Sequence, residues 1–235
     1  MKFLYILISI YLLSFPARAM QDSVWDDVER SKTCFFDKWR KNLAIVNKPW
    51  AQIILERFTD KDITFLDMGW MNIGDEGAIA IAAILPYSKI TAVDISSNNI
   101  GVEGALAIAS VLHHLTSLNM GQNSIGAEGA IAIARSLKDS QLTSMGLSKN
   151  NIGDEGAIAI AAELPYAQLT LLYMGGNNIG DAGAIAIANV LPHTQLKSVC
   201  MRCNSIGDVG KVALEIAEKK SPKGTFVLVS NQQSK

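Results

Sequence analysis

The chain has 235 residues, 49% of them hydrophobic and 18% charged, with a formal net charge of −1 at pH 7. Losing the first 19 residues as a leader would remove Lys2 and Arg18 and no acid, taking the charge to −3. A mildly acidic chain is poorly suited to nucleic acid or an anionic membrane surface, which attract clustered Lys and Arg.

Residues 1–19 read as a secretory signal: Lys2, an apolar run from Phe3 to Leu13, then Ala17-Arg18-Ala19 as a small-x-small cleavage site. The run is short for a membrane span, so a cut after Ala19 and a secreted or periplasmic location are expected, with no stable membrane insertion afterwards. An uncleaved anchor is the alternative. Residues 20–62 carry Trp25, Trp39 and Trp50 with Phe35, Phe36 and Phe58. A repeat array needs its first apolar layer covered, and an N-terminal helical cap fits that need. A separate binding device using Lys38, Arg40 and Lys41 is the alternative.

From residue 63 one sentence is written repeatedly, most clearly as LTSMGLSKNNIGDEGAIAIAAELPYAQ from Leu142. Copies begin at Ile63, Ile90, Leu115, Leu142, Leu169 and Leu196, so six copies with a period of about 27 fill residues 63–224. Alternation across Leu142, Met145 and Leu147 predicts a short strand with one face inward. The Gly-Asp-Glu-Gly stretch predicts a helix start, with Asp154 capping free N–H groups and Glu155 complementing the positive helix end. Asp75, Asp181 and Asp208 repeat the device. Ala157, Ile160, Ala161 and Leu164 then fall at helical spacing, and Pro86, Pro165 and Pro192 end three helices.

In the sixth copy, Glu215 and Glu218 stand where earlier helices carry core alanine and leucine, which suits a terminal repeat. Residues 225–235 begin with Phe226-Val227-Leu228-Val229, a last strand, followed by a loose polar tail. One strand–helix unit cannot bury its own apolar face, so the copies must stack into a parallel sheet backed by helices. Helices need more lateral room than strands, which bends the stack into a short horseshoe with the sheet on the concave side.

The pattern L-x-x-L-x-L-x-x-N-x-I with its Ile-Gly-x-x-Gly turn, over residues 63–218, resembles leucine-rich repeats of the ribonuclease-inhibitor-like subclass, also found in NOD-like receptors. The resemblance implies an α/β solenoid with helices on the convex face. It also implies a ladder in which Asn98, Asn123, Asn150, Asn177 and Asn204 bond backbone of the neighbouring turn. The first copy departs, with Met71 in place of asparagine, so the ladder is expected to stop there.

Strand positions three, five, seven and eight should point into the concave side, placing Phe65, Asp67, Trp70, Asp94, Asn119, Gln122, Lys149, Leu171, Tyr173, Arg202 and Cys203 there. Trp, Tyr and Arg dominate binding hot spots, which favours Trp70, Tyr173 and Arg202 as anchors. For Trp70, packing on the cap is an equal alternative. Asp67 and Asp94 are neighbours on the sheet, yet no third group converges on them for acid–base chemistry, and they read as solvated acids. A second surface is apolar: Ile79, Leu106, Ile131, Ile158 and Ile185 occupy one helix position per copy. Such a stripe is either buried between helices or exposed for association, including self-association.

Cys200-Met201-Arg202-Cys203 is the one catalytic-looking constellation. Redox pairs need a thiol at a helix N-terminus, whereas these lie at strand positions five and eight, roughly 10 Å apart if extended. Cys34 is about five strand spacings, roughly 24 Å, from Cys200 and should not pair with it. Two sulfurs leave zinc short of ligands, with His193 in the preceding connection and His113-His114 elsewhere. No cofactor or metal is expected. The reading is a non-enzymatic exported scaffold that binds a protein, of host origin if the source is a bacterium acting on a host. An envelope thiol protein using Cys200 and Cys203 is the alternative.

Overall fold

A computed structural model describes residues 49–59, 62–221 and 224–229. The signal segment, Cys34, Trp25, Trp39, Phe35, Phe36 and the Lys38–Lys41 cluster lie outside the described residues, as does the side chain of Phe58. The chain divides into two units between Glu56 and Arg57. Of the first, the structure describes most of helix α1 (Pro49–Thr59), whose Trp50, Ala51 and Ile54 are buried.

The second unit alternates strand and helix in chain order: β1 (Phe65–Asp67), α2 (Gly74–Ile84), β2 (Ala92–Asp94), α3 (Val102–Ser110), β3 (Ser117–Asn119), α4 (Gly126–Leu137), β4 (Ser144–Gly146) and α5 (Gly153–Glu163). It continues with β5 (Leu171–Tyr173), α6 (Asp181–Val190), β6 (Ser198–Cys200), α7 (Asp208–Lys220) and β7 (Phe226–Leu228). All seven strands pair in parallel in sequence order, leaving an open sheet. The central residues Leu66, Val93, Leu118, Met145, Leu172 and Val199 are buried, while their strand neighbours are exposed or half-buried, except Gly146, which Asn119 covers. Period-two alternation has therefore selected one wet and one dry face.

The dry face meets the helices. Ala78, Ala105, Ala130, Ala157 and Ala184 are fully buried on them, as are Ile81, Ile108, Ile133, Ile160 and Ile187. From α2 onward each helix approaches the next through a glycine facing an alanine: a Cβ on Gly183 would lie 2.9 Å from Ala157 Cβ. In α7 the residue at this alanine position is Lys211, which is exposed, as is Glu215. Charged residues thus close the helix layer while β7 extends the sheet beside β6, with Phe226 opposite Ser198.

The helix caps work differently from the sequence expectation. Asp154 does not cap its own helix α5. Its Oδ1 accepts from Gly180 N at 2.7 Å and Gly183 N at 2.9 Å, at the start of α6 in the next copy. Asp75 does the same for Gly101 and Gly104, and Asp181 for Gly207 and Gly210. The carboxylate lies too far along its own first turn to reach back, but stacking sets it against the neighbouring helix end. Asp208 has no following helix among the described residues and pairs with Lys211 at 3.6 Å.

Val102 and Ala127 occupy the equivalent sites in copies two and three. The next helices then start with left-handed glycines, Gly126 (φ 63°) and Gly153 (φ 59°). Their N–H groups turn instead to Asn150 O and Asn177 O, at 3.0 and 2.9 Å. Where the aspartate is present, Gly101, Gly180 and Gly207 stay at negative φ. A residue in one copy thus selects the backbone conformation of the next. Asp154→Ala should cost about 1 kcal/mol in urea unfolding and move Gly180 towards the left-handed region, as read by backbone chemical shifts. Ala127→Asp should move Gly153 the other way and stabilise by up to about 1 kcal/mol.

Candidate functional site

The exposed sheet face is laid out by the register. One row runs Asp67, Asp94, Asn119, Gly146, Tyr173, Cys200; another runs Phe65, Ala92, Ser117, Ser144, Leu171, Ser198. Between the large side chains at each end lies an open depression of about 400 Å³, lined by Ser117, Asn119, Ser144, Gly146, Ser148 and Tyr173. Small residues make the floor, and Asn119 leans across Gly146, where a Cβ would sit 2.7 Å from its Oδ1.

A third row follows the strands. Trp70, Ser97, Gln122, Lys149 and Cys203 all have φ between 56° and 61°, with Gly176 at 69°. The chain must reverse its curl here to enter the asparagine turn, and glycine would do so at least cost. A tryptophan in this conformation is strained, and Trp70 is also 77% exposed. Phe65 at 53%, Tyr173 at 42% and Met71 at 36% are exposed as well. Lys149 lies over the next copy, its Cγ 3.0 Å from where a Cβ on Gly176 would be. Gln122 and Arg202 are exposed beside these residues.

At the β1 end, the polar groups converge more than the sequence suggested. Gly69 N donates to Asp67 Oδ1 at 3.0 Å, and Asp94 Oδ1 accepts from Ser96 N and Ser96 Oγ at 2.9 and 2.6 Å. Asn119 Nδ2 donates to Asp94 Oδ2 at 2.8 Å. A Cβ placed on Gly69 would find Asp67 Oδ1, Ser96 Oγ and Asp94 Oδ1 within 3.4, 3.5 and 3.7 Å. Sequence reasoning had the two acids but missed Gly69, Ser96 and Met71. The signal was the small residue at position seven, which leaves this corner open.

Beneath the face, the asparagines stitch one turn to the next. Asn98 Oδ1 accepts from Met71 N and Ile73 N, while its Nδ2 donates to Met68 O. Asn123, Asn150, Asn177 and Asn204 each reach the preceding copy in the same way. At Met71 the ladder ends: its N–H donates to Asn98 Oδ1 as Asn98, Asn150 and Asn177 N–H donate to the next asparagine, but a methionine has no amide to reach further back.

Cys200 and Cys203 form no disulfide. Cys203 sits in the turn, and the nearest helix after it starts at Asp208, so neither thiol has the helix-end setting of a redox pair. On the helix side, Leu106 and Ile158 are 48% and 46% exposed, whereas Ile79, Ile131 and Ile185 are half-buried. The stripe continues to Val212, 27 residues after Ile185 and 53% exposed, a sixth member the sequence reading missed. Burial between helices therefore accounts for only part of the stripe. The His113 and His114 ring centroids lie 4.1 Å apart with the rings tilted by 42°. Partial burial, with His113 alongside, holds His114 below the ordinary histidine range. Among the described residues no three His, Cys, Asp or Glu side chains gather as metal ligands.

A sequence family described as "Leucine Rich repeat" matches residues 60–82, 88–109, 111–134, 141–161 and 169–188. No curated protein matches the chain in sequence. Among solved structures, "Leiomodin-1 Actin-Binding Site 2 (ABS2)" aligns with a TM-score of 0.48 and 18% identity, over 61% of this chain and 87% of that one.

Proposed function

The chain is a leucine-rich repeat protein, and from that premise we propose that it is an exported, non-enzymatic scaffold whose exposed sheet face binds another protein. The observation carrying this reading is the contrast on that face: a floor of Ser and Gly beneath a few large exposed side chains, Phe65, Trp70, Tyr173 and Arg202. Exposed aromatics and arginine suit hot-spot anchoring, and a rigid frame limits the backbone ordering that binding costs. The central depression supplies shape, and its serines and asparagine supply hydrogen-bonding groups.

Export rests on Lys2, the apolar run and Ala17-Arg18-Ala19. Mass measurement of protein recovered from the medium or envelope should give a chain beginning at Met20. A full-length, membrane-bound product would replace export by anchoring.

Affinity capture with residues 20–235 tests the function. Tyr173→Ala with Arg202→Glu should abolish capture of a specific protein, whereas Cys200→Ser with Cys203→Ser should leave it intact. Capture that needs the cysteines would instead favour thiol chemistry. Binding insensitive to Tyr173 and Arg202 would move the site elsewhere.

A further inference from the structure

The sheet face is polarised from end to end. Asp67 and Asp94 stand side by side on β1 and β2, and no ion pair to either is found among the described residues. The exposed cations Lys149 and Arg202 lie in later copies. The acidic end is also the most apolar part of the face, with Phe65, Trp70 and Met71 exposed around it. Two carboxylates and a serine hydroxyl border the gap left by the missing side chain of Gly69, and Trp70 is the next residue in the chain.

Building on the protein-binding reading, we infer that the β1 end seats an arginine or lysine side chain of an extended partner segment. The charged head meets Asp67 and Asp94 over Gly69, while the aliphatic stem lies against the exposed aromatic surface. Charge complementarity selects a cation: a neutral or acidic residue would leave two neighbouring carboxylates uncompensated on binding. An exposed indole face adds attraction for guanidinium or ammonium, and its flat surface accepts the stem as well. The left-handed backbone at Trp70 supports a binding role for this side chain. Its counterpart in copy five is Gly176, so the turn itself does not require the ring, which is both strained and largely in water.

Lys149 and Arg202 give the segment a direction. From β2 to β6 is four strand spacings, about 19 Å, which an extended chain covers in about six residues. A basic residue seated at β1–β2 therefore places an acidic residue about six positions away within reach of Arg202.

The test is selection of phage-displayed random dodecapeptides on the purified full chain, followed by affinity measurement of the selected peptides as synthetic molecules. Selected peptides should be enriched in Arg or Lys, and replacing that residue by citrulline or norleucine should weaken binding at least tenfold. Asp67→Asn with Asp94→Asn should do the same while retaining the oxygen acceptors for Gly69 N and Ser96 N. Trp70→Gly, which relieves the left-handed strain, should weaken binding without lowering the melting temperature. Glu128→Gln with Glu155→Gln, on the helix side, removes the same amount of charge and should leave affinity unchanged. Peptides that depend on Tyr173 and Arg202 but show no basic enrichment and ignore the Asp67/Asp94 change would overturn this inference and leave the sheet-face reading standing. Failure to select any peptide sensitive to a sheet-face substitution would count against both.

Discussion

Asn177→Ala should lower the unfolding free energy by about 3 kcal/mol, because it removes two buried donor bonds and orphans a third partner. Asn177 is fully buried, and its Oδ1 accepts from Asn150 N at 2.7 Å while Nδ2 donates to Leu147 O and Met174 O at 2.8 and 3.1 Å. The carbonyls would keep partners, since Asn150 Nδ2 also reaches Leu147 O and Asn204 Nδ2 reaches Met174 O. The Asn150 N–H would lose its side-chain acceptor inside the protein, where water does not substitute readily. Urea unfolding measures the loss. Asn204→Ala is the comparison: Asn204 is only half-buried at the end of the ladder, and its removal should cost about 1 kcal/mol. Equal losses at the two sites would mean that burial does not set the strength of the ladder.

Gly183→Val should be as damaging or more, at about 3–4 kcal/mol, from overpacking plus a lost cap. A Cβ at this site would meet Asp154 Oδ1 at 2.7 Å, Ile179 Cγ2 at 2.7 Å and Ala157 Cβ at 2.9 Å. Ile179 and Ala157 have no flexible end to move aside, and Asp154 is held by the N–H groups it caps. Relief requires α6 to move away from α5, opening the helix layer. Urea unfolding and hydrogen exchange in α5 and α6 should both register the change. A valine tolerated within about 1 kcal/mol would show that the close glycine–alanine approach is dispensable.

The architecture was legible because the repeat states it six times. Strand alternation, helical spacing and the Asn-x-Ile-Gly turn recur in register, so local ambiguity in one copy is resolved by the others. Ala-Ile-Ala-Ile-Ala reads like a strand by itself, yet Ala157, Ile160 and Ala161 are buried on one side of a helix. What could not be read was the relation between copies. Asp154 was identified as a cap, but its target lies in the following helix, fixed by stacking rather than by chain proximity. For the same reason, the convergence of Asp67, Asp94 and Ser96 around Gly69 required the register of β1 against β2.

The surface was legible in part. Assigning strand positions three and five outward identified Phe65, Asp67 and Tyr173, because a parallel sheet with one dry face leaves no other direction for them, while Trp70 at position eight lies in the turn beyond β1. The left-handed backbone of Trp70 had no sequence signature, since the same position holds Ser, Gln, Lys, Gly or Cys in the other copies. Val212 was obscured because polar residues replace its neighbours in the terminal helix.

The proposed function puts the protein partner on the sheet face and not on the helix face. The direct measurement is the dissociation constant of a captured partner for three forms: the native chain, Trp70→Gly with Tyr173→Ala, and Leu106→Lys with Ile158→Lys, each first shown to be folded. The sheet-face variant should bind at least a hundredfold more weakly, the order of two lost hot spots, while the helix-face variant binds like the native chain. Loss confined to the lysine variant would place recognition on the apolar helix stripe instead of the sheet face.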